Sequence, residues 1–193
     1  MKELFEELEY DDKLFIDLSF DEQTISNISF DYCSFKNCTF NKAVFENCSF
    51  SESTFDSCDL SLVNVTTSLF NDVKFLHSKA IGINYASIGL PFEVSFENTD
   101  ISMSSFYMLD LRHTKFIKSK LHDVDFVKTN LQKANFKESD LLGSSFSNTN
   151  LSNADLSTAY NYMIDPNKNN LKGTKVSLPE ASSFLRYFEM KII

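Results

Sequence analysis

Glycine, proline and tryptophan are scarce in this chain of 193 residues, which contains four Gly, three Pro and no Trp. A β-sandwich of this size would need many more turn residues, because tight turns rich in Gly and Pro join its strands. The sequence also lacks an apolar stretch approaching the ~20 residues of a membrane-spanning helix. It has no cationic start followed by an apolar run, so we expect no signal peptide, no membrane contact and a cytoplasmic location.

Residues that carry chemistry are equally few. The four cysteines have no Cys-x-x-Cys spacing, so a zinc site is not expected, and the three histidines show no ligand or triad spacing. There is no Gly-rich phosphate loop. We therefore predict that the protein is not an enzyme and needs no metal or cofactor. The cysteines are Cys33, Cys38, Cys48 and Cys58, and the histidines are His77, His113 and His122.

Basic residues are too few to balance the acidic ones, and the formal net charge is −9. The excess is confined to one part of the chain. Residues 1–60 hold fourteen acidic and four basic residues, a net of −10, whereas residues 61–193 hold thirteen and fourteen, a net of +1. An acidic surface repels nucleic acid and attracts basic partners, although the same charge also serves plain solubility. The candidate contact residues for a basic partner are Glu46, Glu52, Asp56 and Asp59.

A large apolar residue occupies every fifth position of the chain from Phe20 to Leu156, with one interruption. These residues, called centres below, occur at every fifth position from 20 to 90 and again from 96 to 156, which makes 28 pentads. An α-helix would scatter them over all its faces, because five residues advance the helix by about 140°. A straight strand would place successive centres on opposite sides. The chain must therefore bend once per pentad so that every centre points inward.

The residue two positions before each centre shares its side of the strand and is small or medium-sized along most of the repeat. Cys38, Ser53, Ala134 and Thr149 are examples. One large and one small inward side chain per pentad fit a thin tube that side chains fill completely. We predict a packed interior without a channel, in which all four cysteines are buried free thiols.

The period breaks once, between Leu90 and Phe96, where six steps replace five and Pro91 lies in the gap. Proline suits a β-bulge because it has no N–H to donate. The break is either a tolerated one-residue bulge or a projecting feature used for recognition. Its candidate contact residues are Ser87, Pro91 and Glu93.

Both ends of the chain depart from the repeat. We predict an N-terminal cap over residues 1–19, the repeat domain over 20–160 and a C-terminal cap over 161–193. Pro179 followed by Glu180 predicts the start of an α-helix. Its apolar side chains either cover the last coil or form a dimer interface, and both can hold together. These dimerisation candidates are Phe184, Leu185, Tyr187, Phe188 and Ile192.

The order of a small residue, then Asp or Asn, then Leu or Phe resembles the signature of pentapeptide-repeat proteins. It occurs in Ala134-Asn135-Phe136, Ser139-Asp140-Leu141 and Ala154-Asp155-Leu156. The resemblance implies an all-β fold, a right-handed quadrilateral β-helix with four pentads per coil and about seven coils. One face should then stack Phe35, Phe55, Phe75, Phe96, Phe116, Phe136 and Leu156, and another Phe30, Phe50, Phe70, Leu90, Leu111, Leu131 and Leu151.

Three longer segments, at residues 55–61, 82–91 and 164–181, resemble one branch of that family. The branch contains the Qnr quinolone-resistance proteins and the microcin-immunity proteins. The resemblance implies a DNA-mimicking rod, dimeric through its C-terminal helices, that protects DNA gyrase or topoisomerase IV from poisons. The alternative is a structural or adaptor rod with a different protein partner, and poison rescue in a gyrase supercoiling assay separates the two.

Overall fold

Short parallel strands stacked one coil above another form the body of the protein in the computed structural model, which describes residue 5 and residues 7–188. They make a β-solenoid of about eight turns. The strands are β1 (Glu9–Asp11), β2 (Leu14–Ile16), β3 (Thr24–Ser26), β4 (Ser29–Asp31), β5 (Ser34–Lys36), β6 (Val44–Glu46), β7 (Ser49–Ser51), β8 (Thr54–Asp56), β9 (Leu69–Leu76), β10 (Phe92–Glu97), β11 (Lys115–Ile117), β12 (Asp155–Leu156) and β13 (Lys175–Val176). One turn of 3₁₀ helix spans Tyr85–Ser87.

Each turn of the solenoid has four sides, and corresponding centres on successive turns lie in register. On face 1 each centre pairs with the centre of the next turn, in the order Phe35, Phe55, Phe75, Phe96 and Phe116. Isolated bridges continue this ladder to β12. The predicted stack on this face is confirmed. The four faces are defined by face 1 (Phe35, Phe55, Phe75), face 2 (Phe40, Leu60, Ala80), face 3 (Phe45, Val65, Tyr85) and face 4 (Phe50, Phe70, Phe92).

The bend in most pentads lies two residues after the centre, where the backbone adopts a positive φ. Asn37 has φ 53°, Glu52 has 48° and His113 has 66°. In many pentads the centre carbonyl also accepts a hydrogen bond from the residue three positions on, as Phe40 does from Ala43 N at 2.9 Å, which is the pattern of a type II turn. A left-handed non-Gly residue costs about 1–3 kcal/mol. The ladder offsets this cost, since each corner N–H bonds the next turn, as Asn37 N bonds Asp56 O at 3.0 Å.

The interior is filled by stacked aromatic rings. Phe55 has 0% exposure, and its ring lies parallel to those of Phe35 and Phe75, with centroids 4.8 and 5.3 Å away. Rings on adjacent faces meet edge-on, as Phe40 meets Phe55 at 5.7 Å. The predicted position of Phe55, buried between its two neighbours in a packed ladder, is confirmed.

The small inward residues satisfy backbone groups at the corners. Ser53 Oγ donates to the carbonyl of Phe30 at 3.0 Å and accepts from the N–H of Cys33 at 3.0 Å. Cys58 Sγ donates in the same way to Phe35 O at 3.3 Å. All four cysteines are buried and free, as the sequence predicted. Serine, threonine and cysteine are therefore interchangeable here as small donors aimed at a carbonyl one turn away.

The break in the period differs from the sequence prediction. Leu90, predicted as a centre, is 76% exposed, and Phe92 takes the inward position in register with Phe70. The physical reason is that two spacings between centres change together. Phe92 follows Tyr85 by seven residues instead of five, and Phe96 follows Phe92 by four. Two residues are thus added before Phe92, and the corner residue after it is missing. Gly89 fits closely at the entry, since a Cβ there would lie 2.6 Å from Leu69 Cδ2 and 3.1 Å from the carbonyl oxygen of Ser68, so a larger residue would require Leu69 to move.

The solenoid ladders extend into the segment predicted as an N-terminal cap. Strands β1 and β2 pair in parallel with β4 and β5, placing Tyr10 opposite Phe30 and Phe15 opposite Phe35. Phe5 packs against the end of this stack, with ring centroids 5.1 Å from Phe20 and 5.2 Å from Phe30. Phe5 therefore covers part of the aromatic core at this end of the tube.

A short helix follows the last turn. Helix α1 spans Leu178–Ala181, and a 3₁₀ helix continues it over Ser182–Phe188. The predicted α-helix is therefore only one turn long before it tightens. Ser182 Oγ donates to the carbonyl of Pro179 at 2.7 Å, a bond that competes with regular helical pairing. In the part of the chain that the structure describes, no helix is long and apolar enough to cross a lipid bilayer.

Candidate protein-interaction surfaces

The four acidic residues predicted to contact a partner do not share one surface. Glu46 lies on face 3, Asp56 on face 1 and Asp59 on face 2, while Glu52 occupies the corner between faces 4 and 1. Each also bonds within the rod. Ser26 Oγ donates to Glu46 at 3.0 Å, and Tyr32 OH donates to Glu52 at 2.9 Å. A partner that docks on one side of the rod cannot reach all four.

Asp56 is the most engaged of these carboxylates. His77 Nδ1 lies 3.1 Å from its Oδ1, and Ser57 Oγ donates to the same oxygen at 3.1 Å. The hydrogen bond from His77 lowers the pKa of Asp56, so this carboxylate remains charged at neutral pH. This carboxylate already interacts with a residue of the next turn, which leaves it less available to a partner.

Face 4 gathers acidic residues that the sequence analysis did not group. Asp11 and Asp31 are direct register partners there, and Asp12, Glu52 and Asp72 occupy its corner with face 1 on alternate or successive turns. Among the residues that the structure describes on face 4 and this corner, none from Glu9 to Glu93 is basic. We call this set the acidic stripe, and its members are Glu9, Asp11, Asp12, Asp31, Glu52, Asp72 and Glu93. Stacking the sequence in rows of twenty residues would have revealed it.

Face 2 carries the opposite arrangement, an alternation of charge. Isolated bridges join Asp59, Lys79, Asp100, Lys120 and Asp140 in one column. Lys120 Nζ donates to Asp100 at 3.2 Å. Burial raises the pKa of Asp100, but hydrogen bonds from Ser102 and Lys120 outweigh it and leave the pKa lowered. This column neutralises itself and offers a partner little net charge.

The break in the period opens a groove on the rod surface. The groove has a volume of about 700 Å³ and lies between the segment Leu90–Val94 and the next turn. Pro91 and Glu93, two of the predicted contact residues, line it, whereas Ser87 lies at the end of the 3₁₀ turn on face 3. Its acidic and basic lining residues are Asp72, Lys74, Glu93, Asp110, Arg112 and Lys115, and His113 also lines it.

The core is less completely sealed beneath this groove than on the neighbouring face 1. Phe92 and Val94 are 6% and 7% exposed, whereas Phe75 and Phe96 on the neighbouring face are 0% exposed. The missing corner residue explains the difference, because no left-handed residue lies between His77 and Asn98 except Gly82. The groove therefore exists because the chain lacks one corner residue. The two extra residues, Leu90 and Pro91, project from the rod along one edge of the groove.

The predicted dimerisation residues divide into packed and exposed ones. Phe184 is half-buried and packs near Tyr162, with ring centroids 6.3 Å apart, and Leu185 and Tyr187 are also half-buried. Phe188 is 50% exposed and Leu178 is 86% exposed. Ile192 lies outside the described residues. The helix thus covers the last turn with one side and keeps apolar side chains on the other.

Comparison with known families assigns most of the repeat. The description "Pentapeptide repeats (9 copies)" matches residues 20–75, and "Pentapeptide repeat region" matches residues 92–159, together more than half of the chain. The unmatched interval between them contains the break. Comparison with curated protein sequences gives no match.

Solved structures with the same fold are known. A trypsin-treated form of QnrB1, a plasmid-mediated fluoroquinolone resistance protein, is 18% identical with a TM-score of 0.65, covering 96% of this chain and 91% of that one. HetL of Nostoc sp. strain PCC 7120, involved in heterocyst differentiation regulation, is 16% identical with a TM-score of 0.72, covering 88% and 85%. Full-length QnrB1 is 19% identical with a TM-score of 0.58, covering 94% and 100%. The chain belongs to the pentapeptide-repeat family.

Proposed function

We propose that this protein is a non-catalytic, DNA-mimicking binding protein that contacts DNA gyrase or topoisomerase IV and protects it from a quinolone- or microcin-type poison. The acidic stripe on face 4 is the observation that carries the proposal. The fold shared with QnrB1, a fluoroquinolone resistance protein, supports the choice of partner.

The spacing of the stripe suits a surface that binds duplex DNA. Register partners on successive turns, such as Asp11 and Asp31, lie about 4.8 Å apart along the rod axis. A DNA strand carries one charge per ~3.4 Å. A basic DNA-binding groove would therefore meet negative charges at comparable intervals along one side of the rod.

The mimicry is restricted to one side and one half of the rod. Face 2 is neutralised by its own alternating column, and beyond Glu93 the outward residues of face 4 include Arg112, His113 and Lys133. We infer that the topoisomerase docks on face 4 of the N-terminal half. Long-range attraction by the stripe would speed association and make it depend on ionic strength.

A filled interior supports a binding role rather than catalysis. The space that another fold would use for a substrate cavity is occupied by the ladders of Phe and Leu, which are 0–1% exposed along face 1. Recognition is left to the outer faces, the corners and the groove.

The test compares two sets of neutralising substitutions, each of which removes three charges. The first set, on the stripe, is Asp31→Asn, Glu52→Gln and Asp72→Asn. The matched control, on faces 2 and 3, is Glu22→Gln, Glu46→Gln and Asp59→Asn. Gyrase supercoiling is measured with a quinolone poison present. We expect the stripe variant to need about tenfold more protein for rescue and the control to match the parent protein.

Two outcomes would contradict this proposal. Equal losses from both sets would show that only net charge matters, so that no face is recognised. Failure of the parent protein to rescue supercoiling at any ratio would remove the topoisomerase as partner.

A structural or adaptor rod with a different protein partner is the second candidate. The similarity to HetL, whose described role is in heterocyst differentiation regulation, supports it, as does the near-neutral C-terminal half. Under this alternative the parent protein has no effect in the supercoiling assay.

We further propose that two copies join through their C-terminal helices. Leu178, Phe188 and Met163, the last at 55% exposure, are exposed apolar side chains in the segment that follows the last turns of the rod. An exposed apolar surface usually marks an interface. Tail-to-tail pairing would place the two acidic stripes at the outer ends of the assembly.

A further inference from the structure

The backbone ladder of face 4 is interrupted at the groove. On later turns, three hydrogen bonds join each face-4 segment to the turn before it. At Asn150 and Ser152 these are Asn150 N to Thr129 O at 3.0 Å, Leu131 N to Asn150 O at 2.8 Å, and Lys133 N to Ser152 O at 3.0 Å. Two turns earlier, directly after the break, the equivalent groups are the N–H and C=O of Asp110 and the C=O of Arg112. Within the described chain, none of these three groups has a backbone partner.

The break removes the partners that these groups would otherwise have. The extra residues Leu90 and Pro91 leave the line of the ladder, and Leu90 is 76% exposed. The absent corner residue would have supplied the N–H for Arg112 O, as Lys133 supplies one for Ser152 O. Residues 110–112 are therefore a short open strand edge within the ladder of face 4.

Charged residues of both signs frame this edge. Glu93 projects from one wall, and Lys115 and His113 from the other. Arg112 is already held by Asp110, with its Nη2 2.7 Å from Oδ2, and Lys74 lies 3.8 Å from Asp72. The charges left to an incoming molecule are therefore acidic at Glu93 and basic at Lys115.

We propose that this groove binds an extended polypeptide segment of a partner protein, which pairs with the open edge at Asp110–Arg112. A basic side chain of the segment lies toward Glu93 and an acidic one toward Lys115. An extended peptide supplies both the N–H donors and the carbonyl acceptor that the three free backbone groups require, which is the mode of strand addition. A small anion would leave both carbonyls unpaired. The proposal concerns the groove, whose Glu93 is also a member of the acidic stripe, and it does not depend on a topoisomerase partner.

The first test measures amide exchange in the free protein by NMR. The Asp110 amide should exchange at least about tenfold faster than those of Asn130 and Asn150, because both of these bond the preceding turn at 2.9–3.0 Å. Equal protection at all three positions would overturn the proposal, since the edge would then be closed already.

The second test adds a peptide probe, Thr-Lys-Val-Glu-Val-Thr with blocked ends, at millimolar concentration. Asp110 exchange should slow at least about fivefold while Asn130 is unchanged. The same peptide with N-methylated valines should have no effect, because it cannot donate to the two carbonyls. A peptide with Gln in place of Lys and Glu should protect more weakly.

Reversing the charges of Glu93 and Lys115 tests the two predicted charge contacts with the peptide without disturbing the fold. Glu93 and Lys115 are both exposed, so the double variant Glu93→Lys, Lys115→Glu should fold normally. It should reverse the preference between the peptide above and one with Lys and Glu exchanged. Protection by neither peptide, or equally by the N-methylated one, would overturn edge pairing. Slower Asp110 exchange at higher protein concentration, without peptide, would assign the groove to a second copy of this chain instead.

Discussion

Phe55 shows at the residue scale what holds the rod together. It has no exposed surface and stacks on Phe35 and Phe75. Phe55→Ala should lower the free energy of unfolding by about 3–5 kcal/mol, through lost apolar burial and the cavity left behind. Chemical denaturation measures this. A loss below about 1 kcal/mol would mean that the ladder relaxes around the gap, and Leu178→Ala, at an 86% exposed position, serves as the control.

The hydroxyl group of Tyr85 destabilises the core in which it is buried. The Tyr85 ring stacks on Phe106 at 4.8 Å, but its hydroxyl is buried without a hydrogen-bond partner, and burial raises its pKa. Removing a buried unsatisfied hydroxyl recovers its desolvation cost. Tyr85→Phe should therefore stabilise the protein by about 1 kcal/mol in thermal or chemical unfolding. A destabilised variant would show that the hydroxyl is bonded in solution.

Cys33 and Cys48 act as small core donors rather than as reactive groups. Burial raises the pKa of Cys33 and of Cys48, which keeps both thiols protonated and slow to react. Titration after denaturation without reductant should count four thiols, whereas Cys33 and Cys48 should react slowly in the native protein. A count of two would reveal a bridge between the stacked Cys38 and Cys58 and contradict the prediction.

At the scale of elements, the charged column of face 2 gives the solenoid a pH dependence. His122 Nε2 lies 2.7 Å from Asp140, and Asn161 Nδ2 donates to the same carboxylate at 2.8 Å. Burial raises the pKa of Asp140, but these bonds outweigh it, so the folded-state pKa lies below that of the unfolded chain. The charged form is therefore the one that the fold stabilises, and its contribution is present above the unfolded pKa of about 4.

Asp140→Asn should accordingly destabilise the protein by about 1 kcal/mol at pH 7, as measured by urea denaturation. The difference from the parent protein should shrink as the pH falls below about 4, where the parent carboxylate becomes protonated too. Glu97→Gln, at an exposed position on face 1, is the control and should change little at either pH. A difference in stability that does not vary with pH would show that the effect does not depend on the ionisation of Asp140, which would contradict the prediction.

At the scale of the whole molecule, the C-terminal end determines assembly. The intact protein should sediment at micromolar concentration with twice the 22.1 kDa of one chain, because the exposed Leu178 and Phe188 are then covered. The double variant Leu178→Asp, Phe188→Asp should sediment as a monomer. Leu62→Asp, at an equally exposed position on the rod wall, should remain dimeric. A monomeric parent protein would rule this interface out.

The sequence by itself determined a chain that bends once per pentad around a filled core, and the resemblance to pentapeptide-repeat proteins supplied the four pentads per coil. A five-residue period with small partners is a local pattern, and only a chain that bends once per pentad can bury it. The inward position of Phe55 followed from the period, and its neighbours Phe35 and Phe75 followed from the twenty-residue coil that the resemblance implied. The same holds for the buried, free state of Cys58, because its position in the pentad fixes which way it points.

Tertiary structure alone decided which outward residues lie together. Neighbours on the surface are about twenty residues apart, so Asp11, Asp31 and Glu93 join one side while Glu46 and Asp59 lie on others. At the break, the sequence showed only the net gain of one residue between Leu90 and Phe96. Two added residues and one missing corner give the same count, and the choice of Phe92 as centre depends on packing against Phe70. Core positions follow from local period, whereas the interaction surfaces follow from stacking across turns.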